Sequence, residues 1–157
     1  MVSDSVKEAW QDNTKINKVI LDHLTPEMVH ARTPGEGFTV AEHLLEILHT
    51  PKYFGLKFNE EKLGAIPNLY EVKDNEYIAE TDLGRIREVA QQTAVDVLEA
   101  AEAADSKGEL PHTNLDMYLI HMMVHDAHHR GQLLLALKTN GFPLPSEDLV
   151  WGPWKNQ

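Results

Sequence analysis

The chain has 157 residues, no cysteine, and 14 Lys and Arg against 25 Asp and Glu, which gives a formal net charge of −11 at pH 7. This length allows one domain with a sizeable core, and the lack of cysteine excludes disulfides, a thiolate nucleophile and thiolate metal ligands. The negative charge argues against binding to nucleic acid or to an anionic membrane surface. No signal-peptide pattern or membrane-spanning window occurs, so we expect one cytoplasmic domain of residues 1–157.

The first half of the chain predicts two long helices. Helical periodicity runs from about Asp4 to Leu24, and Thr25-Pro26-Glu27 predicts a short extra helix before a loop at 33–37. The second long helix begins at Thr39-Val40-Ala41-Glu42, which matches a capping box because the hydroxyl and the carboxylate each accept a free backbone N–H. Pro51 lacks a backbone donor, so we expect a kink or an interruption there.

The second half predicts two further long helices. Residues 59–80 lose the helical period, and no stretch of the chain alternates strictly enough to predict a half-buried strand. Periodicity resumes from Asp82 to Ala104, and a fourth helix opens at Thr113-Asn114 and stops at Asn140-Gly141. The tail after it shows no period. These elements predict an all-α fold, a four-helix bundle of up-down-down-up order with a long crossover between the second and third helices.

The fourth helix contains the run HMMVHDAHHRGQ, which places four of the nine histidines between His121 and His129. Because a helix turns by ~100° per residue, His125 and His129 lie one above the other and can share one metal ion. His121 continues this row, and His128 lies at its edge. The alternative is that each ring is packed or partly exposed with an ordinary hydrogen-bond partner. Clustered buried imidazoles are costly, however, and a shared divalent cation removes that cost.

A third ligand is expected from the second helix, in the stretch AEHLLEILHTPKY. Its polar and aromatic residues share one stripe: Glu42, His43, Glu46, His49 and Tyr53. Apolar residues such as Leu44 and Ile47 form the opposite side, so the stripe equally suits a face that is turned to water. Periodicity alone does not decide between a metal-binding and a solvated stripe.

The runs HMMVHDAHHRGQLL and FTVAEHLLEIL resemble, respectively, the signature and the start of the second helix of the DinB/YfiT-like superfamily of four-helix metalloenzymes. The resemblance covers nearly the whole chain. It implies a divalent metal, zinc or nickel, held by one histidine on the second helix and two on the fourth. The last two correspond to His125 and His129. The first is replaced by Glu46, a competent carboxylate ligand, with His49, one turn further on, as the alternative.

The same resemblance implies a function. Members of this superfamily include transferases that use bacillithiol, mycothiol or related low-molecular-weight thiols, and thiol-dependent isomerases, in which the metal presents a thiolate to an electrophile. For this chain it implies a metal-dependent transferase or isomerase whose partners are a small-molecule thiol and an electrophile. Residues expected to support the ligands, carry protons or line the pocket are His121, His128, His49, Tyr53, Tyr118 and Gln132.

Two alternatives to an enzyme remain. One is a non-catalytic metal-binding or stress-related bundle, and the other is a family member that has lost its metal through Glu46. The fourth helix is apolar nearly all round and the tail carries two tryptophans, so an interface is expected and with it a homodimer. Structural roles are expected for Arg130, paired with an acid on the bundle surface, and for Gly131, as a point of close helix approach.

Overall fold

The computed structural model describes residues 1–105 and 108–155, and these are mostly helical. The helices are α1 Asp4–His23, α2 Val40–Gly55, α3 Glu60–Gly64, α4 Leu83–Ala103, α5 Leu115–Thr139 and α6 Glu147–Trp151, with strands β1 Tyr70–Lys73 and β2 Glu76–Ala79 and 3₁₀ turns at Met28–His30 and Gly152–Trp154. The expectation of a mainly helical chain with four long helices is therefore confirmed. Within the described ranges, no helix has the length and apolar character needed to cross a membrane.

Side-chain caps start three of the four long helices. The capping box predicted at α2 is present: the Thr39 hydroxyl accepts from the Glu42 N–H at 3.2 Å, and the Glu42 carboxylate accepts from the Thr39 N–H at 2.6 Å. At α4 and α5 the cap is a single hydrogen bond: the side-chain oxygen of Asp82 accepts from the Arg85 N–H, and that of Asn114 accepts from the Met117 N–H. These caps satisfy N–H groups that a helix leaves without partners, so the predicted starts hold.

The packing of the long helices places α2 against α5 and α4, and α1 against the same two helices. In the hydrogen bonds between α2 and α5, earlier residues of α2 pair with later residues of α5. The Tyr118 hydroxyl donates to the Pro51 carbonyl at 2.7 Å, whereas the His43 and His129 rings meet at 3.0 Å further along. These two helices therefore run antiparallel, and each presents one long face to the other.

A hairpin at residues 70–79 corrects the prediction that the chain has no strands. β1 and β2 pair antiparallel from Tyr70 opposite Ala79 to Lys73 opposite Glu76. The two turn residues between them, Asp74 and Asn75, have φ of 52° and 65°, as a type I′ hairpin turn requires. Both strands are largely exposed, so neither face has to be apolar, and the alternation that marks a half-buried strand is missing.

The structure corrects two further expectations, an interruption of the second helix at Pro51 and a tail without regular structure. Pro51 does not interrupt the second helix, because α2 continues through it to Gly55. The side chain of Pro51 is buried, and tertiary packing has outweighed the loss of one backbone donor. The tail predicted to be irregular includes α6 and the 3₁₀ turn after it, both of which contact α1.

The core draws on all four long helices and is continuous. Its largest fully buried side chains include Trp10, Ile20, Ile86, Tyr118, Leu119, Met122, Leu133 and Leu137. α5 contributes the most to this set and is buried along one side. Its other side leaves Met117, Ile120, Val124 and Leu135 exposed in the single chain. We call these four residues the α5 apolar face.

Candidate metal centre

Glu46 on α2 meets His125 and His129 on α5, and these three form the candidate metal centre. One ligand atom from each lies within 4.8 Å of the others. The Glu46 Oε2 atom is 3.8 Å from the His125 Nε2 atom and 4.0 Å from the His129 Nε2 atom. The i, i+4 spacing on α5 and the antiparallel contact with α2 thus bring two imidazoles and one carboxylate to one point.

The donor set and its distances are compatible with a divalent ion. Zinc lies about 2.0 to 2.2 Å from a histidine nitrogen or a carboxylate oxygen, so two ligand atoms of one ion are at most about 4.4 Å apart. The Glu46 separations of 3.8 and 4.0 Å fall inside that limit and are longer than a hydrogen bond. Imidazole and carboxylate also suit nickel, iron and manganese, so the donor set does not distinguish among these metals.

Burial keeps both imidazoles neutral. The pKa of His129 is lowered to about 4, chiefly by burial and then by the neighbouring His125, His43 and His128. Burial also lowers the pKa of His125, although the Glu46 carboxylate acts in the opposite direction. Neutral rings carry the lone pair that a metal needs. The site is therefore electrostatically suited to a cation without first having to lose protons at neutral pH.

His43 and its neighbours surround the inner edge of His129. The His43 Nδ1 atom is 3.0 Å from the His129 Nδ1 atom, and the His43 Nε2 atom is 2.8 Å from the Thr33 Oγ1 atom. The Phe38 ring lies parallel to the His129 ring, with 5° between the ring planes and 6.4 Å between the centroids. His43 belongs to the stripe of α2 that equally suits a face turned to water, yet it is 4% exposed. Thr33 has no local signal for a place at the site, because only the folding of the 33–38 loop onto α2 brings that residue there.

The alternative third ligand, His49, lies elsewhere. Among the described residues it belongs to no metal-binding group of three or more. Its ring contacts Tyr70 at 5.3 Å and Tyr53 at 6.4 Å between centroids, and its Nδ1 atom is buried without a hydrogen-bond partner in the described part of the chain. The hairpin that supplies Tyr70 was not predicted, so this aromatic group was not foreseen either.

The remaining predicted residues divide between the surface and the interior. His128 is exposed, with its ring 5.1 Å from that of His129, and Tyr53 is 59% exposed. His121 hydrogen-bonds His112 at 2.8 Å, and Gln132 is half-buried. Tyr118 does not line an open pocket, because it is fully buried, donates to the Pro51 carbonyl and has a pKa raised by burial.

Next to the candidate ligands on α5, a buried polar network corrects the predicted role of Arg130. Asp126 is 1% exposed and accepts hydrogen bonds from Asn13 and Asn17 at 2.8 and 2.9 Å. Arg130 donates to the side-chain oxygens of both asparagines at 2.7 Å and lies 4.0 Å from Asp126. It is thus not on the surface. Asn13 and Asn17 on α1 face Asp126 and Arg130 on α5, and both pairs have i, i+4 spacing. This shared spacing is the only sign of the network that the sequence offers.

The predicted role of Gly131 was also wrong. A Cβ atom built at this position meets nothing within 4 Å, so the residue is not a point of close helix approach. Gly131 is exposed to solvent on α5. A larger side chain would fit there without displacing a neighbour.

Fold and site together define a class: a mainly helical protein with a candidate histidine–carboxylate metal centre between two of its long helices. The family model described as the DinB family matches residues 2–157. The chain therefore belongs to the DinB family, and the resemblance seen in its histidine run is confirmed at that level. Comparison with curated proteins and comparison with solved structures give no match.

Proposed function

We propose that Glu46, His125 and His129 bind one divalent metal ion, zinc or nickel, and that the protein is a metal-dependent transferase or isomerase that uses a low-molecular-weight thiol. The observation that carries the proposal is the convergence of three ligand atoms within 4.8 Å. Membership of the DinB family supports it. The cytoplasm is the compartment that we propose, since thiols are kept reduced there.

The chain's own residues suit this chemistry in two ways. With no cysteine, the sulfur has to come from a small molecule, and three protein ligands leave a coordination position for it. A bound divalent ion supplies the positive charge that favours the thiolate form of such a molecule. The Glu46 side chain is 39% exposed and that of His129 is 10% exposed. A small molecule would thus approach from the Glu46 side, with His128 at the surface to carry a proton.

We also propose that the four long helices form an up-down-down-up bundle in a single domain of residues 1–157, of which 106, 107, 156 and 157 lie outside the described residues. Hydrogen bonds between α1 and α4 support this order. The Trp10 indole donates to the Ala94 carbonyl at 2.9 Å, and Arg87 donates to the Leu21 carbonyl at 2.9 Å. α1 and α4 therefore run in opposite directions, as the proposed order requires.

Metal analysis of protein purified without a histidine tag tests the metal site. We expect about one equivalent of zinc or nickel in the wild type and loss of that metal in His125→Ala and Glu46→Gln. His30→Ala is the matched control, because His30 is an exposed histidine outside the group, and it should retain the metal. Substoichiometric metal in the wild type, or unchanged metal in His125→Ala, would overturn the proposal.

A conjugation assay tests the thiol chemistry. The metal-loaded protein is incubated with an electrophile and, in turn, glutathione, bacillithiol and mycothiol, and an isomerisable substrate is assayed with the same thiols. We expect turnover with at least one thiol, and its loss on removal of the metal with a chelator. Stoichiometric metal without turnover for any thiol would support the non-catalytic metal-binding alternative and contradict the enzymatic one.

A further inference from the structure

The loop before α2 holds a threonine hydroxyl between a carbonyl and a histidine. The Thr33 Oγ1 atom is 2.9 Å from the Phe38 carbonyl oxygen and 2.8 Å from the His43 Nε2 atom. The loop is closed by the Thr33 N–H, which donates to the same carbonyl at 2.9 Å. Thr33 is 7% exposed and His43 is 4% exposed. The Thr33 hydroxyl and the His43 ring are thus held in place by backbone structure and shielded from water.

Counting protons along these contacts gives each one a direction. A carbonyl oxygen only accepts, and a threonine hydroxyl has one hydrogen to donate. That hydrogen therefore lies between Thr33 and the Phe38 carbonyl, since the opposite choice would leave two acceptor oxygens facing each other at 2.9 Å. The second contact of the Thr33 oxygen then has to be one that it accepts. His43 consequently carries its proton on Nε2.

The same count continues to the metal centre. A neutral imidazole has one N–H and one lone pair, so a His43 ring protonated on Nε2 accepts at Nδ1. The His129 Nδ1 atom, 3.0 Å away, is then the donor. His129 in turn is left with its lone pair on Nε2, the atom that lies 4.0 Å from the Glu46 carboxylate. The protons on His129 Nδ1, His43 Nε2 and Thr33 Oγ1 therefore all point away from the candidate metal centre.

We propose that Thr33 and His43 are positioning residues that set the tautomer of His129, so that its Nε2 lone pair faces Glu46 and His125 before any metal is bound. This inference rests on the proposed metal site for its purpose, although the tautomer itself is a property of the metal-free protein. Partners of this kind raise metal affinity by orienting the ligand, with typical effects of about 10- to 100-fold. The Phe38 carbonyl sets the direction of all these hydrogen bonds, because it can only accept.

The other histidine ligand has no such partner. The His125 Nδ1 atom is buried and makes no hydrogen bond to any residue in the described ranges. Among the described residues, no hydrogen bond at Nδ1 acts on its tautomer, in contrast to His129. This difference makes His125 an internal reference for the experiment.

Nitrogen NMR of the metal-free wild type, labelled at its histidine rings and held above neutral pH, tests the tautomer directly. We expect His129 to be protonated on Nδ1 and His43 on Nε2, each as a single form. An Nε2-protonated His129 would overturn the proposal, as would a mixture of its two tautomers. This measurement needs no variant and no metal, so it stands even if the metal site fails.

Zinc titration of two variants tests the consequence. Thr33→Val removes the hydroxyl at nearly constant volume and should weaken zinc binding by about 10- to 100-fold, with loss of the single His129 tautomer in the metal-free spectrum. Thr33→Ser keeps the hydroxyl and should match the wild type. Equal zinc affinity in a folded Thr33→Val protein would overturn the positioning role. If the wild type binds no zinc, the proposed function fails, and the tautomer assignment is judged on the wild-type spectrum alone.

Discussion

At the residue scale, Asp126 and Arg130 show what burial does to a charged pair. Burial raises the pKa of Asp126 to about 6, while the hydrogen bonds from Asn17 and Asn13 and the Arg130 charge act to lower it. Burying these polar side chains costs free energy, and their mutual hydrogen bonds and opposite charges offset part of that cost. The network joins α1 to the same stretch of α5 that carries His125 and His129, the proposed metal ligands, so its integrity affects where they lie.

Replacing Arg130 by Met should destabilise the protein by about 3 to 5 kcal/mol, because it leaves the Asp126 carboxylate buried without its positive neighbour. Urea unfolding at neutral pH measures this change. Arg85→Met is the matched control, since the Arg85 side chain is 55% exposed and its pairing with Glu80 should contribute no more than about 1 kcal/mol. A loss at Arg130 as small as that at Arg85 would contradict the network's importance.

Lys52 provides a prediction about pH. It donates to the Ile66 carbonyl and to the Asn68 side chain, both at 2.6 Å, and burial lowers its pKa from 10.5. As the pH rises towards 10.5, the folded state loses this proton before the unfolded state does, so the unfolded state binds more protons and stability rises with pH.

We therefore expect the free energy of unfolding of the wild type, relative to Lys52→Met, to increase as the pH rises towards 10.5. The comparison with the variant cancels the titration of the other groups. Urea unfolding at several pH values provides the measurement. If the difference in unfolding free energy between the two proteins stays constant or falls as the pH rises, burial does not lower the pKa of Lys52.

At the element scale, local rules predicted the helix starts well and the other elements poorly. The capping box at Thr39 and the cap at Asn114 depend on neighbouring residues alone, so they are visible in the sequence. Pro51 and the hairpin are not local in this sense. The proline is tolerated because its side chain is buried, and the hairpin strands lack an apolar face because they remain exposed.

The hairpin turn gives a prediction of its own. Asn75 has φ of 65°, and a β-branched residue in this left-handed region costs about 1 to 2 kcal/mol. Asn75→Val should therefore speed hydrogen exchange of the amides that pair β1 with β2, whereas Asn75→Gly should not. Equal exchange in the two variants would mean that the turn does not control the hairpin.

At the scale of the whole molecule, the predicted homodimer remains a proposal, and the α5 apolar face is the surface that we propose for it. Its spacing places Met117, Ile120, Val124 and Leu135 on one side of the helix. Each chain carries a net charge of −11, so two copies repel each other at long range. Association of two copies then needs a surface like this one, which is free of charged side chains between its ends.

Val124→Glu should convert the dimer into a monomer, because it places a carboxylate in the middle of the proposed contact. Val95→Glu is the control: Val95 is 51% exposed on α4, outside the proposed contact, and its replacement should leave the dimer intact. Sedimentation velocity measures both. A monomeric wild type, or equal masses for the two variants, would rule out this interface.

Local sequence was enough to predict the four long helices, the caps of α2 and α5, and the spacing of His125 and His129, because an i, i+4 pair on a helix shares a face whatever surrounds it. It also placed Glu46 on the helix that meets that pair. Which polar residues are buried depends on tertiary contacts. The tertiary structure turned Arg130 inwards to Asp126, and it placed Thr33 and His43 behind His129, since contacts between distant segments depend on packing and not on any local pattern.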